Sequence, residues 1–376
     1  MKIKNPFLIY GYAGPEYFCD REEETSRLAS ALQNGRNVTL MSPRRMGKTG
    51  LIHNVFDRLQ RDGGDVVCVY LDVFATRCQS DFVSMLGRAV VSRVTSLSQK
   101  ALASLGSILK SCKLVFSADP LSGAPQVGID FNPQQADNTL KEIFDYLKQS
   151  PYECFIAIDE FQQIAEYPET GLEASLRSYA QFCPNVHFVF SGSRQHLMSE
   201  IFDSPKRPFF RSTQKMAIGP IPEKSYYLFA ADWMSKAGIT LPQEVFGELY
   251  AMFEGHTWYV QNVLNHLYEY HPEQVSRQVL TDCIAEIVQS EEEDFKRHLN
   301  LLTANQCQLL RAIGRARCVA APNAIAFIHA YGLKGASSIN KALTYLLQNE
   351  YVYHSEKGYI VYDRFMGLWL ERDVLK

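Results

Sequence analysis

The segment Ser42-Pro43-Arg44-Arg45-Met46-Gly47-Lys48-Thr49 holds the residue types that grip a phosphate. Successive backbone N–H groups at a helix N-terminus curl around the anion, a lysine neutralises its charge, and a Ser/Thr hydroxyl ligates Mg²⁺. Gly47, Lys48 and Thr49 fit those roles, and Gly50 follows them. The opening glycine of the pattern G-x-x-x-x-G-K-[ST] is replaced by Ser42. A serine there is strained at positive φ and tolerated in an extended conformation. Farther on, Phe155-Ile156-Ala157-Ile158-Asp159-Glu160 is an apolar run ending in two carboxylates. Asp159 would hold Mg²⁺ through water, and Glu160 would polarise an attacking water. Alone, Gly-Lys-Thr can merely start a helix and Asp-Glu is often an exposed turn; together, after buried strands, they specify nucleoside triphosphate binding.

Other residues are weaker candidates. Phe190-Ser191-Gly192-Ser193-Arg194 ends another apolar run, so Ser191 or Ser193 is placed to sense a γ-phosphate or the lytic water. Arg194 and Arg211 are candidates for transition-state charge stabilisation, within the chain or from a neighbouring subunit, or else are surface ion-pair partners. Arg44 and Arg45 lie in the phosphate loop itself. Tyr17 to Glu24 precedes a helix and would cover the adenine edge, which puts Arg21 among the nucleotide-facing residues. The plainer alternative has Asp20 capping that helix with Glu23 at N3. His256 would reach the nucleotide from a lid, whereas Trp258 and Tyr259 read as core.

These residues need a frame. Asn37–Met41, Asp65–Asp72, Cys154–Ile158 and Val186–Ser191 read as buried strands separated by helical patterns, the signature of a parallel α/β sheet. The first leads directly into the phosphate loop and a helix. A helical stretch spans about Phe82 to Lys110, and Pro120–Pro125 is a loop that interrupts the core as an insertion or flap. Asn138–Gln149 is an amphipathic helix. At 376 residues the chain is expected to form two or three domains: a sheet domain over 1–220, a helical lid over 221–295 and a module over 296–376. In the last, three helices precede two alternating segments around Ser355-Glu356-Lys357-Gly358, the pattern of a winged helix.

A net charge of −3 excludes a global basic field. Nine scattered cysteines without C-x-x-C pairs fit a reducing, cytoplasmic setting, and no apolar stretch is long enough for a membrane span.

Taken together, Phe18 to Glu24, Ser42 to Thr49, Ile158 to Gln162, Ser191-Gly192-Ser193, Phe209-Phe210-Arg211, Gly255-His256 and the segment Tyr362 to Leu370 resemble the archaeal-type ATPases, a branch of the STAND class of P-loop NTPases with an AAA+-like core. The resemblance implies ATP/ADP and Mg²⁺ as cofactors, a nucleotide-driven switch and a C-terminal winged helix; the sparse charge of that module's recognition helix points to a protein partner, with oligomer formation open. The alternative is a winged-helix nucleic-acid-binding protein with a regulatory nucleotide site. From Lys296 onward, 11 Lys/Arg face 5 Asp/Glu, yet the presumed recognition helix carries only Lys341, so DNA is the weaker partner.

Overall fold

The computed structural model describes residues 4–63, 65–97, 108–118, 125–355 and 357–372. Its contacts divide the chain into two units, Tyr10–Tyr226 with His256–Trp258, and Met1–Ile9 with Tyr227–Gly255 and Tyr259–Lys376.

The first unit is built on five parallel strands: β1 (Val38–Met41), β2 (Val66–Asp72), β5 (Glu153–Asp159), β6 (Val186–Gly192) and β7 (Gln214–Ala217). They lie in the order β2-β5-β6-β1-β7. Four of them are the apolar runs read from the sequence. β7 is an addition: in Gln-Lys-Met-Ala only Met216 is buried, so this edge strand has no apolar run to announce it. Alternation sorts side chains onto two faces. Val38, Leu40, Cys68, Phe155 and Ala157 pack against helices α1 (Glu22–Gln33) and α2 (Lys48–Arg61). Val67, Val69, Leu71, Ile156, Ile158, Phe188 and Phe190 meet α3 (Gln79–Leu97), α4 (Ala136–Gln149), α5 (Leu172–Phe182) and α6 (Gln195–Asp203) on the other face. Each such apolar side chain contributes about 1.5–3 kcal/mol on burial, so the central strands form a rigid platform.

Between α3 and α4 an antiparallel hairpin, β3 (Cys112–Ala118) and β4 (Pro125–Phe131), stands where the sequence suggested a loop insertion. Of that loop, residues 120–124 lie outside the described residues, as do 98–107 of the longer helix expected there.

The second unit begins with the N-terminal segment, pinned by reciprocal bonds in which the Asn5 amide donates to the Asn265 carbonyl at 2.9 Å and Asn265 to that of Phe7 at 2.7 Å. Its helices are α7 (Glu223–Lys236), α8 (Gln243–Met252), α9 (Thr257–Tyr270), α10 (Arg277–Ser290) and α11 (Glu292–Asn300); α7 and α9 each start in the first unit. The C-terminal module follows: α12 (Ala304–Ala316), α13 (Ile325–Ala330), α14 (Ala336–Gln348), the hairpin β8 (Val352–Ser355) and β9 (Gly358–Val361), then α15 (Arg364–Arg372). α12 starts on a Thr303/Gln306 capping box, and Val319 bridges Tyr359 to extend the hairpin. All nine cysteines are free. Among the described residues no helix is long and apolar enough to cross a membrane.

Candidate nucleotide site

The phosphate loop leaves β1 at its C-terminal end, where open α/β sheets place their ligands. Ser42 is buried and has no positive φ, so the lost glycine costs no backbone strain. The left-handed positions are instead Arg45 (φ 63°) and Gly47 (φ 94°), and Gly47 caps α2. Lys48 is only 5% exposed, and its ammonium donates to the carbonyls of Ser42 and Pro43, each at 3.1 Å, and to the Ser42 hydroxyl at 3.3 Å. The ammonium thus folds over its own loop, within reach of any anion the loop takes up. Gly50 is held small by Phe18, whose ring a Cβ would approach to 2.9 Å.

Asp159 shares the parity of Phe155 and Ala157 along β5 and so lies on the α2 face of the sheet. Its Oδ2 accepts from the Thr49 hydroxyl at 2.7 Å and from the Tyr70 phenol at 2.9 Å, and its Oδ1 from the Glu160 N–H at 3.1 Å. Glu160 sits at φ 54°, an unfavourable conformation for a side chain of this type. Its Oε2 accepts from Ser193 at 2.8 Å and from the Gln162 amide at 2.5 Å. The Arg44 Nε in turn donates to the Ser193 hydroxyl at 3.4 Å, which ties the phosphate loop to the end of β6. Burial foremost, with the charges of Asp159 and Glu160 adding to it, pushes the neighbouring Asp72 carboxyl above the usual carboxylate range, against an opposing N–H from Phe74. A divalent cation suits such a place: a hydroxyl and a carboxylate 2.7 Å apart at a strand end are the donor types Mg²⁺ takes, and further oxygens would come from the phosphates.

Several candidates sit differently from the sequence reading. Ser191 is fully buried, and its hydroxyl has no partner among the described residues; Ser193, one step past β6, is the serine that touches Glu160. The guanidinium of Arg194 is turned to Glu166, at 2.7 Å. Arg211 precedes β7, which starts level with Val38 at the N-terminal end of the sheet, while Asp159 ends β5 at the other. Arg211 is exposed over the Phe210 ring, in a cleft with Asp203 and Lys215, so the chain does not bring it to its own phosphate loop.

Arg21 reaches the loop: its Nη2 donates to the Met46 carbonyl at 3.1 Å and its Nη1 to Glu24 at 2.9 Å. Arg21 itself, at φ 66°, is the N-cap of α1, with no side-chain cap, so the Asp20/Glu23 capping box does not form. His256 lies in the short stretch grouped with the phosphate-loop unit. Trp258, read as core, is half-buried and takes the Arg45 guanidinium 4.0 Å above its ring, whereas Tyr259 is core as expected.

Comparison with known proteins bears on this geometry. The structure is similar to a Walker-type ATPase of Pyrococcus abyssi, with 16% identity, 97% of this chain and 99% of that one covered, and a TM-score of 0.66. The chain has the fold of the archaeal Walker-type ATPases. It is also similar to the ORC2 protein of Aeropyrum pernix in its ADPNP-ADP complexes (15% identity, 99% and 97% covered, TM-score 0.61). The ORC1 protein of the same organism, in complex with DNA, matches less closely (15% identity, 98% and 96% covered, TM-score 0.54). Residues 293–372 match a family model described as "Probable winged helix domain". No curated protein matches the chain by sequence. The parallel core, the helical region and the C-terminal winged helix are therefore shared with P-loop ATPases.

Proposed function

We propose that the protein binds and hydrolyses Mg²⁺·ATP and acts as a nucleotide-driven switch. The observation that carries this reading is the 2.7 Å bond between Thr49 and Asp159, with Glu160 next in sequence and Lys48 next to Thr49. The loop N–H groups and Lys48 would cradle the β- and γ-phosphates. Thr49 and Asp159 would hold Mg²⁺, whose charge would offset that of those phosphates. Glu160, held by Ser193 and Gln162, orients and polarises the water that attacks the γ-phosphorus; the bond to the β–γ bridging oxygen breaks and ADP leaves. Arg211, exposed and remote, fits a role on the nucleotide of a neighbouring copy.

The switch reading is supported by Arg45, which carries the loop's conformation to Trp258 on the first turn of α9, a helix that continues into the second unit. The boundaries 1–220, 221–295 and 296–376, with a lid over the middle stretch, belong to this proposal. So does a protein partner for the winged helix.

Duplex DNA is the second reading, favoured by the winged helix and by the ORC1 protein's complex with DNA. Charge works against it. Lys357 and Arg364 pair with Glu254, at 3.6 and 2.8 Å, and Arg317 pairs with Glu371. These three cations are thus engaged by carboxylates of the chain, which lowers what they offer to phosphates.

Equilibrium binding of a fluorescent ATP analogue tests the site. Wild type should bind it in Mg²⁺, and Lys48→Ala should lose at least tenfold in affinity, one phosphate-directed charge being worth about 1.5–3 kcal/mol. Equal affinities for the two proteins would end the assignment.

A further inference from the structure

Tyr70 lies inside an apolar strand, and its residue type alone assigns it to the core. Its place in the sheet says otherwise. Tyr70 is in register with Ala157, and the next side chain of β5 on that face is Asp159. The Tyr70 phenol donates to Asp159 Oδ2 at 2.9 Å, onto the oxygen that also takes the Thr49 hydroxyl. With the Glu160 N–H on Oδ1, both carboxylate oxygens are engaged and the side chain has one orientation.

The phenol is itself held in place. His53, one turn beyond Thr49 on α2, packs its ring 4.5 Å from that of Tyr70, and Tyr12 stacks on His53 at 5.8 Å. The Tyr12 hydroxyl donates to Asn54 at 3.2 Å, and Asn54 donates to Thr25 of α1 at 3.1 Å. A phenol keeps its proton at neutral pH, so Tyr70 serves Asp159 as a donor.

We propose that Tyr70 is a positioning residue for the divalent cation: it fixes the Asp159 carboxylate in the orientation the metal site requires. This rests on the Mg²⁺·ATP reading above. A carboxylate offers about four acceptor directions. Three are taken by protein donors, two on Oδ2 and one on Oδ1, which leaves one lone pair, on Oδ1, for the cation. Thr49 can turn its oxygen to a cation while its proton stays on Asp159. The Tyr70 phenol donates to Asp159 and so holds that carboxylate. Loss of its hydroxyl therefore weakens the response to the cation and leaves the phosphate cradle of Ser42 to Lys48 intact.

The test is Tyr70→Phe in the full chain, which keeps the ring against His53 and removes one oxygen. The readout is equilibrium binding of a fluorescent ATP analogue, first in EDTA and then through a Mg²⁺ titration. Affinity in EDTA should stay within about twofold of wild type, while the Mg²⁺ midpoint rises about tenfold or more, the effect of one lost hydrogen bond to a charged group. In an Asp159→Asn background the Tyr70→Phe change should leave the Mg²⁺ midpoint where it is. A wild-type midpoint in the single variant, or an equal shift in both backgrounds, would overturn the proposal and leave the Mg²⁺·ATP reading standing. Wild-type binding that ignores Mg²⁺ altogether would instead remove the reading and Tyr70's role with it. Circular dichroism and thermal unfolding of each variant separate these outcomes from a loss of fold, which would show as a fall in EDTA affinity as well.

Discussion

Replacing Arg21 by alanine should cost the phosphate-loop unit about 3 kcal/mol, a sum of two unequal parts. The guanidinium is 3% exposed and braces the loop through the carbonyl of Met46, a residue only 5% exposed. Losing that charged donor and stranding a buried carbonyl costs about 2 kcal/mol. The Glu24 partner is 23% exposed, so solvent screens it and its share is about 1 kcal/mol. The glutamine variant Glu24→Gln, which removes the charge and keeps an acceptor, should cost no more than that smaller share. Of the three tryptophans, Trp233 and Trp369 lie in the other unit, so a Trp233→Phe/Trp369→Phe background leaves Trp258 to report this one. Urea unfolding followed by its fluorescence, without nucleotide, supplies the numbers. At about 2–4 °C per kcal/mol for a unit of this size, the Arg21→Ala midpoint should also fall by about 10 °C. The reasoning fails if Arg21→Ala costs less than 1 kcal/mol, or no more than Glu24→Gln.

Three further predictions concern the same region. Restoring the lost glycine with Ser42→Gly should leave ATP affinity within about twofold, because Ser42 needs no positive φ; a gain of tenfold or more in a binding titration would show that the serine does impair the loop. Gly50→Ala pushes a Cβ to within 2.9 Å of the Phe18 ring and should cost about 1–2 kcal/mol in urea unfolding, and an unchanged midpoint would mean that Phe18 moves aside freely. His53 has its pKa lowered by burial, so the folded state prefers the neutral ring. The unfolded chain then binds more protons just below its ordinary pKa of about 6.5, and stability is complete above that pH and declines as pH falls toward the folded value. A His53→Phe variant should unfold with a flatter pH dependence over that window; an unaltered slope would assign it to other groups.

Much of the frame was legible because burial on both faces forces a strand to be apolar. Asn37–Met41 and Cys154–Ile158 could be read for that reason, and their ends put Lys48 and Asp159 in one place. β7 was not legible, since an edge strand with one buried residue has no such run. The hairpin of β3 and β4 depends on its pairing, which is invisible from either strand alone. Ser191 and Ser193 share a strand parity, so alternation cannot separate them; only the end of β6 shows that Ser193 reaches Glu160. Tyr70 looked like core until its register with β5 was known, and the Arg45–Trp258 contact joins residues more than two hundred positions apart. Arg21 was legible as important, but its bond to the Met46 carbonyl was not, because a buried arginine can serve the nucleotide or the backbone that holds it.

The most direct measurement of the central claim is phosphate release from γ-labelled ATP, compared for wild type and Glu160→Gln with Mg²⁺ and with EDTA. The account predicts turnover by wild type that needs Mg²⁺, and a glutamine variant that retains bound ATP while releasing phosphate at least a hundredfold more slowly, as befits loss of the water-polarising base. Phosphate release by Glu160→Gln at the wild-type rate, or wild-type release unaffected by EDTA, would contradict it.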